Sequence, residues 1–496
     1  PGAVFPQILA RLALFDLRPV LHVIGLILCL LAAAMALPAA IDALAGNDQW
    51  RAFLASGGIT ALAGLALVLG CRCERPRALE TRQAYLATGL GWVVPCLFAA
   101  LPFSLGAANL PMVDAFFEAT SGVTTTGSTV LSGLERLPPG LLLWRGLLQW
   151  LGGIGIIVMA LAVLPLLNIG GMQMFRVEVL SARDRAAPRA ARIGSSVIGV
   201  YGGLTALLAF ALWAAGMSRF DAIIHAMSTI ATGGFGNYDL SMAHFNNATI
   251  DLIVFAGMVL GGMPFILFFA LAQGDWRRLV RDQQVHWYLG LMAAGSAAVT
   301  VWLIDHRGFE PLTALRHGAF TVASVMTGTG LVTMDYGDWT GMPVAILFFL
   351  TFVGGCAGST AAGIKVFRFQ LLLANALVQV RQLLRPHAVL VPSFNDKPIP
   401  KEVLTSVMGF LFVYALAFAA LSMALGLLGL DFVTALSAAA SAISNVGPGL
   451  GPVIGPGGTF APLPDLAKVL LAAGMLVGGL ELFSLLILFV PRFWRA

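Results

Sequence analysis

Charged side chains are scarce in this 496-residue chain: 11% are Asp, Glu, Lys or Arg, against roughly 25% in an average soluble domain. Hydrophobic residues make up 58%, and mean hydropathy is +0.88. So few polar side chains cannot shield an apolar core of this size from water. A soluble enzyme, a disordered scaffold and a nucleic-acid binder are thereby excluded. Cysteine is sparse too. The five cysteines (Cys29, Cys71, Cys73, Cys96 and Cys356) lie mostly in apolar stretches, and Cys71-Arg72-Cys73 lacks the spacing and histidine partners of a zinc site. Neither a disulfide framework nor a thiolate metal site is expected. There is no G-x-x-x-x-G-K-[ST] phosphate loop, no catalytic His/Asp/Ser constellation and no metal-ligand spacing. No cleavable signal peptide is expected, because the first apolar run is followed by many more.

What is abundant is apolar length and glycine. Glycine accounts for 56 residues, about 11% against a usual share of about 7%, which suits membrane helices that pack closely or break. Ten stretches reach the ~20 residues needed to span a bilayer: 17–40, 53–71, 85–106, 141–167, 194–217, 249–272, 285–304, 341–373, 403–428 and 466–490. Four shorter apolar pieces end in Gly-rich turns, at 112–128, 219–236, 310–331 and 431–451. They are too short to span and read as re-entrant: a short helix in, an extended strand back. With both termini cytoplasmic, 22 of the 29 Lys and Arg fall on the inner side. That is a strong positive-inside bias, and it puts all four re-entrant pieces on the outer side.

The four pieces resemble one another. Each opens near an acidic residue (Asp114, Asp221, Glu310, Asp431), continues as an apolar run and closes on Ser/Thr and a glycine, taken as Gly127, Gly233, Gly330 and Gly447. Each lies between two spans. The fold expected is an all-α polytopic membrane protein of four pseudo-repeats around one pore, preceded by two leading helices. Boundaries fall at 1–80 for the leading pair, then 81–170, 171–273, 274–375 and 376–496 for the repeats. Non-helical backbone at membrane depth is tolerated where it is buried in protein or lines a water-filled path. Four such loops suggest a ring whose carbonyls replace a cation's hydration shell. The loop cores 123–128, 231–236, 326–331 and 444–451 contain no charged residue, which favours a monovalent ion over a divalent one. The acidic residues at the helix starts suit N-terminal capping.

These residues resemble the TrkH/TrkG/KtrB superfamily of potassium uptake proteins, the TrkH branch in particular. FFEATSGVTTTGST (116–129), ATGGF (231–235), TGLVTMDYGDW (329–339) and SNVGPGLGP (444–452) are similar to its four selectivity-filter loops, and GGCAGSTAAGIKVFRF (354–369) to its broken inner helix. LQWLGGIGIIVMALAVLPLL (148–167) and LELFSLLILFVPRFW (480–494) are similar to spans that follow the first and fourth loops. The resemblance implies potassium entry through a filter lined by Thr125, Thr126, Gly127, Ala231, Thr232, Gly233, Gly328, Thr329, Gly330, Asn445, Val446 and Gly447. It implies an intramembrane gate formed by Gly354, Gly355, Gly358, Ser359, Thr360, Ala361, Ala362, Gly363 and Lys365, with Gly479 facing it. It further implies a homodimer in the bacterial inner membrane, a TrkA-like cytosolic nucleotide-binding ring, no covalent cofactor, and potassium as substrate only. The glycine at the first-loop position favours potassium over sodium. The alternative is sodium conduction, or potassium movement coupled to sodium or protons.

The chain departs from that family pattern in three places. The third loop has Gly328 where a Thr is more usual, which loses a hydroxyl and adds backbone freedom. Ala361 and Ala362 stand where glycines are usual, restricting the gate loop. Gly479 stands where the family carries an Arg in a GRLE run, which removes a positive barrier below the filter and suggests a pore that is leakier, or gated chiefly by the broken helix. Among residues outside these motifs, Glu118 is expected to pair with Arg145, Glu481 to brace the inner vestibule, and His225 and His317 to pack or hydrogen-bond. Lys365 is expected near the inner mouth, either against the broken loop or snorkelling at the interface. The basic linkers 170–193 and 374–402 are the natural docking surfaces for a cytosolic partner.

Overall fold

The computed structural model describes residues 16–72, 80–160, 170–172, 174, 187–395, 397–480 and 482–495. Its helices follow the expected order. A leading pair, α1 (Arg18–Leu44) and α2 (Gln49–Gly70), precedes four units of span, short helix, loop and span. The first unit holds α3 (Thr81–Ala99), the short α4 (Met112–Val123) and α5 (Pro139–Val158). The second holds α6 (Ala187–Ala214), the short α7 (Arg219–Ile230), α8 (Ala248–Gly261) and α9 (Phe265–Ala272). The third holds α10 (Gln283–Arg307), the short α11 (Pro311–Thr327), α12 (Met342–Val353) and α13 (Val366–Leu384). The fourth holds α14 (Lys401–Leu427), the short α15 (Phe432–Ser444) and α16 (Asp465–Gly479). The only strands among the described residues pair Ser393–Phe394 with Lys397–Pro398.

Among the described residues, seven helices are long and apolar enough to cross a membrane, and α8 with α9 makes an eighth if counted together. The remaining two expected spans are interrupted. α12 and α13 are separated by residues 354–365, as the broken-helix reading anticipates, and α16 stops at Gly479 instead of running on to 490. The sixth expected span, 249–272, is not one helix: α8 and α9 meet at 98°. The cause is local. Pro264 has no N–H to donate and pushes the residue before it away from helical backbone.

Helix boundaries follow ordinary capping chemistry. α3 begins with a capping box in which Glu80 and Gln83 exchange hydrogen bonds. α10 ends on Gly308 in the left-handed region, φ +66°. The leading pair packs through small residues. A Cβ at Gly25 would meet the Gly64 carbonyl at 2.9 Å, and one at Gly64 would meet the Cys29 amide at 2.9 Å, an approach that larger side chains forbid. The other face of α1 buries Val20, Ile24, Leu28, Leu31 and Met35 at three- and four-residue spacing, in one cluster with Leu141, Trp144 and Leu148 of α5.

The closing helix of each unit packs on the short helix of the next: α5 on α7, α8 on α11, α12 on α15, and α16 back on α4. The last contact closes the circle. The four units therefore surround one axis rather than lying in a row.

The leading pair is tied to this ring by polar contacts. Fully buried Asp42 accepts the Gly140 amide at 2.7 Å at the start of α5, where helix N–H groups lack internal partners. Buried Gln49 accepts from the Ala107 amide. Asp42→Ala should lower stability by about 1–3 kcal/mol, the cost of an orphaned buried donor, whereas Asp42→Asn, which keeps an acceptor, should lose less. Melting temperatures of the three proteins in detergent would show it, and equal melting of Asp42→Ala and the parent would refute the tie.

Candidate functional site: a ring of four re-entrant loops

Each short helix ends in a turn with one backbone signature. Positive φ occurs at Thr125 and Gly127, at Thr232 and Gly234, at Gly328 and Gly330, and at Asn445 and Gly447. Between each pair, an amide reaches back to a serine carbonyl five residues earlier: Thr126 to Ser121 at 2.9 Å, Gly233 to Ser228 at 2.8 Å, Thr329 to Ser324 at 2.9 Å and Val446 to Ser441 at 3.1 Å. The four loops thus have the same conformation in register. That register corrects the expected alignment of the second loop: the counterpart of Gly127 is Gly234, and Gly233 corresponds to Thr126. Two adjacent glycines hid the choice, and the repeated serine was the signal that would have resolved it.

The loops also touch in a cycle. A Cβ on Gly127 would collide with the Gly233 carbonyl oxygen, one on Gly234 with that of Thr329, one on Gly330 with that of Val446, and one on Gly447 with that of Thr126. None of these contacts would exceed 2.8 Å, so only glycine fits. Both reasons for glycine apply at once: left-handed backbone and close approach of another chain segment. The result places the carbonyl oxygens of Thr126, Gly233, Thr329 and Val446 at four equivalent positions around the axis. An open cavity of about 170 Å³ leads to this ring, lined by residues that include Gly127, Gly234, Gly330 and Pro448.

Side chains brace the loops from behind. Gln149 straddles Gly234, donating to the Gly233 carbonyl at 2.5 Å and accepting the Phe235 amide at 3.1 Å. Glu118 and Arg145 pair as expected, at 2.9 Å and fully buried. The carboxylate also accepts from Thr129 and the Val130 amide, while the guanidinium donates to the Gly236 carbonyl at 2.8 Å. One buried pair therefore anchors the returning strands of the first and second loops. A buried ion pair of this kind specifies geometry more than it stabilises. Asn445 links the fourth loop to the first, donating to the Thr126 hydroxyl at 2.8 Å, and to α16 at the Met475 carbonyl, 3.0 Å. Ser128 donates to the Gly447 carbonyl at 2.8 Å. Thr124 with Thr126, and Thr327 with Thr329, form matching hydroxyl pairs at 2.7 Å. Gln149, Asn445 as a cross-link and the serine set were missed in sequence, because their partners lie far away along the chain.

The three departures from the family pattern also find their places. Gly328 has φ +71°, so glycine there relieves the left-handed strain that Thr125 and Thr232 bear, about 1–2 kcal/mol each. Ala361 is fully buried against Gly355. The positive-φ positions of this segment are Gly354, Gly358, Gly363 and Lys365, not Ala361 or Ala362, so the two alanines impose no backbone penalty. Gly479 lies close to the ring: a Cβ there would sit 3.8 Å from the Asn445 amide group and 3.9 Å from Thr124.

Residues 354–365 are folded against the bend between α8 and α9. The Cys356 amide donates to the Gly262 carbonyl at 2.9 Å, the Thr360 amide to Gly261 at 3.3 Å, and the Phe265 amide to Gly358 at 3.0 Å. Each interruption supplies partners for the polar groups the other exposes. The segment also reaches the ring, since the Thr360 hydroxyl donates to the Ile230 carbonyl at 3.0 Å and accepts from the Thr232 hydroxyl at 3.2 Å. Ser359 binds locally, to the Cys356 carbonyl. Lys365 is buried, only 4% exposed, immediately before α13, which does not suit interfacial snorkelling. Arg368 ties the segment's end down, donating to the carbonyls of Ile364 at 2.9 Å and Gly170 at 2.8 Å.

The acidic residues at the short-helix starts behave unequally. Asp431 caps α15 through the Thr434 amide, and its hydrogen bonds to Thr434 hold its carboxyl below the usual carboxylate range. α7 is capped by Ser218 instead, while Asp221 binds Asn237 and Tyr238. Asp114 pairs with Lys468 across to α16, and Glu310 makes no side-chain cap. His225 and His317 hydrogen-bond to the Asp221 carbonyl and the Thr333 hydroxyl, consistent with the expected packing role. Glu481 and most of the linker 170–193 lie outside the described residues. Among the described residues no His/Cys/Asp/Glu cluster could hold a metal.

Four units closed around an axis, with uncharged glycine-bearing loops at their meeting point and a broken helix packed against them, define a polytopic membrane transport protein of pore-loop design. The chain belongs to the TrkH family of cation transport proteins, whose family model matches residues 52–496. It is 42% identical to the Trk system potassium uptake protein TrkI of Halomonas elongata, over 96% of this chain and 97% of that one. Identity to TrkH of Salmonella typhimurium is 36%, over 96% and 99%. The crystal structure of the potassium transporter TrkH from Vibrio parahaemolyticus superposes with a TM-score of 0.89 at 35% identity, covering 97% of this chain and all of that one.

The loop register generates a sharp contrast. Gly234→Ala, at φ +83° and against the Thr329 carbonyl, should abolish ion flux, whereas Gly236→Ala, whose Cβ would meet nothing closer than 3.5 Å, should retain most of it. Isotope flux in proteoliposomes checks this, and wild-type flux from Gly234→Ala would refute the assigned register.

Proposed function

We propose that this protein takes up potassium across the bacterial inner membrane, passing the bare ion through the four-loop ring. The reading is carried by one observation: four uncharged loops meet so closely that the backbone, not side-chain charge, surrounds the axis. Carbonyl rings of this kind replace the hydration shell of a monovalent cation. Its relatives' description as Trk system potassium uptake proteins supports the choice of ion. The filter in this reading comprises Thr125 to Gly127, Ala231 to Gly234, Gly328 to Gly330 and Asn445 to Gly447. Entry runs down the membrane potential, which contributes about 2.3 kcal/mol per charge for every 100 mV. The chain needs no cofactor, and potassium is its substrate.

Residues 354–365 act in this reading as an intramembrane gate, with Gly479 lining the path beside them. The protein works as a homodimer, with both termini cytoplasmic, under the control of a TrkA-like cytosolic nucleotide-binding ring. The basic surfaces at 374–402, with Arg381, Arg385 and Lys401, suit such a partner. Potassium-42 and sodium-22 uptake into proteoliposomes under an imposed inside-negative potential tests the function. Potassium should enter with a clear preference; equal or greater sodium flux would replace this reading with sodium conduction, and flux that requires a sodium or proton gradient would replace it with coupled transport.

The position of Gly479 adds a prediction of its own. Among the described residues, the atoms nearest to a Cβ at this position belong to Asn445 and Thr124, at 3.8 and 3.9 Å. Gly479→Arg should place a cation beside the ring and reduce potassium flux by at least tenfold through like-charge repulsion, about 1.4 kcal/mol or more. Equal flux of the two proteins would show that this position does not face the ion path.

A further inference from the structure

The Thr360 hydroxyl sits where three structural problems meet. It is fully buried. It lies 3.0 Å from the Ile230 carbonyl, one of the last of α7, and 3.0 Å from the Gly261 carbonyl at the end of α8. It also accepts from the hydroxyl of Thr232 at 3.2 Å. Helix ends leave their last carbonyls without internal partners, so Thr360 serves two such ends, its one hydroxyl proton shared between them and its amide also donating to Gly261 at 3.3 Å. Thr232 is the left-handed non-glycine residue of the second loop, φ +50°, and its hydroxyl also donates to its own neighbour's carbonyl, Ala231, at 2.7 Å. Thr360 therefore touches both the residue that starts a filter strand and the helix end that supports it.

We propose that Thr360 is a positioning residue that couples the intramembrane segment to ion discrimination, by holding the second loop in register while the segment is docked. This rests on the reading of residues 354–365 as a gate. Withdrawal of the segment removes a hydrogen-bond partner from the Ile230 and Gly261 carbonyls and from the Thr232 hydroxyl together. The second loop is then free to relax, and the oxygen set around the ion changes with it. Gate position and selectivity are therefore linked through one side chain rather than set independently.

The test uses the full-length protein in proteoliposomes, with potassium-42 and sodium-22 flux measured under the same imposed potential. Thr360→Val keeps the side-chain shape and removes the hydroxyl. It should raise basal potassium flux about fivefold, the weight of one net hydrogen bond, and lower the potassium-to-sodium ratio by a similar factor. Thr360→Ser should restore both. Thr232→Val deletes the same contact from the other side, and the double variant should go no further than either single one. A pure packing role would not reproduce the shift in ratio together with non-additivity. Should Thr360→Val fail to fold, Thr232→Val alone gives the same pair of readouts.

Increased flux with an unchanged ratio, or effects that add in the double variant, overturns the coupling while leaving the gate in place. A Gly363→Val control separates the two ideas, because φ +81° and the nearby Gly354 backbone oblige the segment to shift. If Gly363→Val alters flux while the threonine variants alter neither flux nor ratio, the coupling is wrong. If none of these variants alters flux, the gate reading falls as well.

Discussion

The structure depends on one backbone contact made four times. A left-handed glycine in each loop faces the carbonyl oxygen of the next, and the fourth faces the first. Any side chain at these positions would push the loops apart, so the sequence has glycine at 127, 234, 330 and 447 without exception. The surrounding helices exist in service of that closeness. Each closing helix leans on the neighbouring unit's short helix, which sets the separation between adjacent loops. Polar side chains such as Gln149, Asn445 and the Glu118–Arg145 pair then fix their rotation.

The fold was almost wholly legible in the sequence, and the reason is physical. Spanning helices must be long and apolar, re-entrant pieces are too short to span, and basic residues mark one side. The leading pair, the four units and the uncharged loops all followed from these constraints. The bend at Gly262–Pro264 was read as part of a continuous span. Hydropathy averages over a window and does not register a single missing amide, though the proline was in plain view.

The site was legible in composition but less so in register. The left-handed positions in the second loop are Thr232 and Gly234, and sequence favoured Gly233 because two glycines stand together. The recurring serine at 121, 228, 324 and 441, whose carbonyls hold the turns, would have set the alignment. Long-range braces were invisible for a different cause. Gln149 reaches a loop 84 residues away and Asn445 one 319 residues away, and no periodicity encodes such distances. Glu118 with Arg145 was found because two opposite charges stood near each other in an apolar setting, where an unpaired one is costly.

The bend in the second unit and the break in the third are chemically complementary. Carbonyls stranded by one are reached by amides from the other, and the exchange runs in both directions through Cys356, Thr360 and Phe265. A straightened version of either helix would leave its opposite number with unsatisfied groups in a setting that offers no solvent. The two defects therefore depend on each other: a substitution that heals one becomes tolerable only when the other is healed as well.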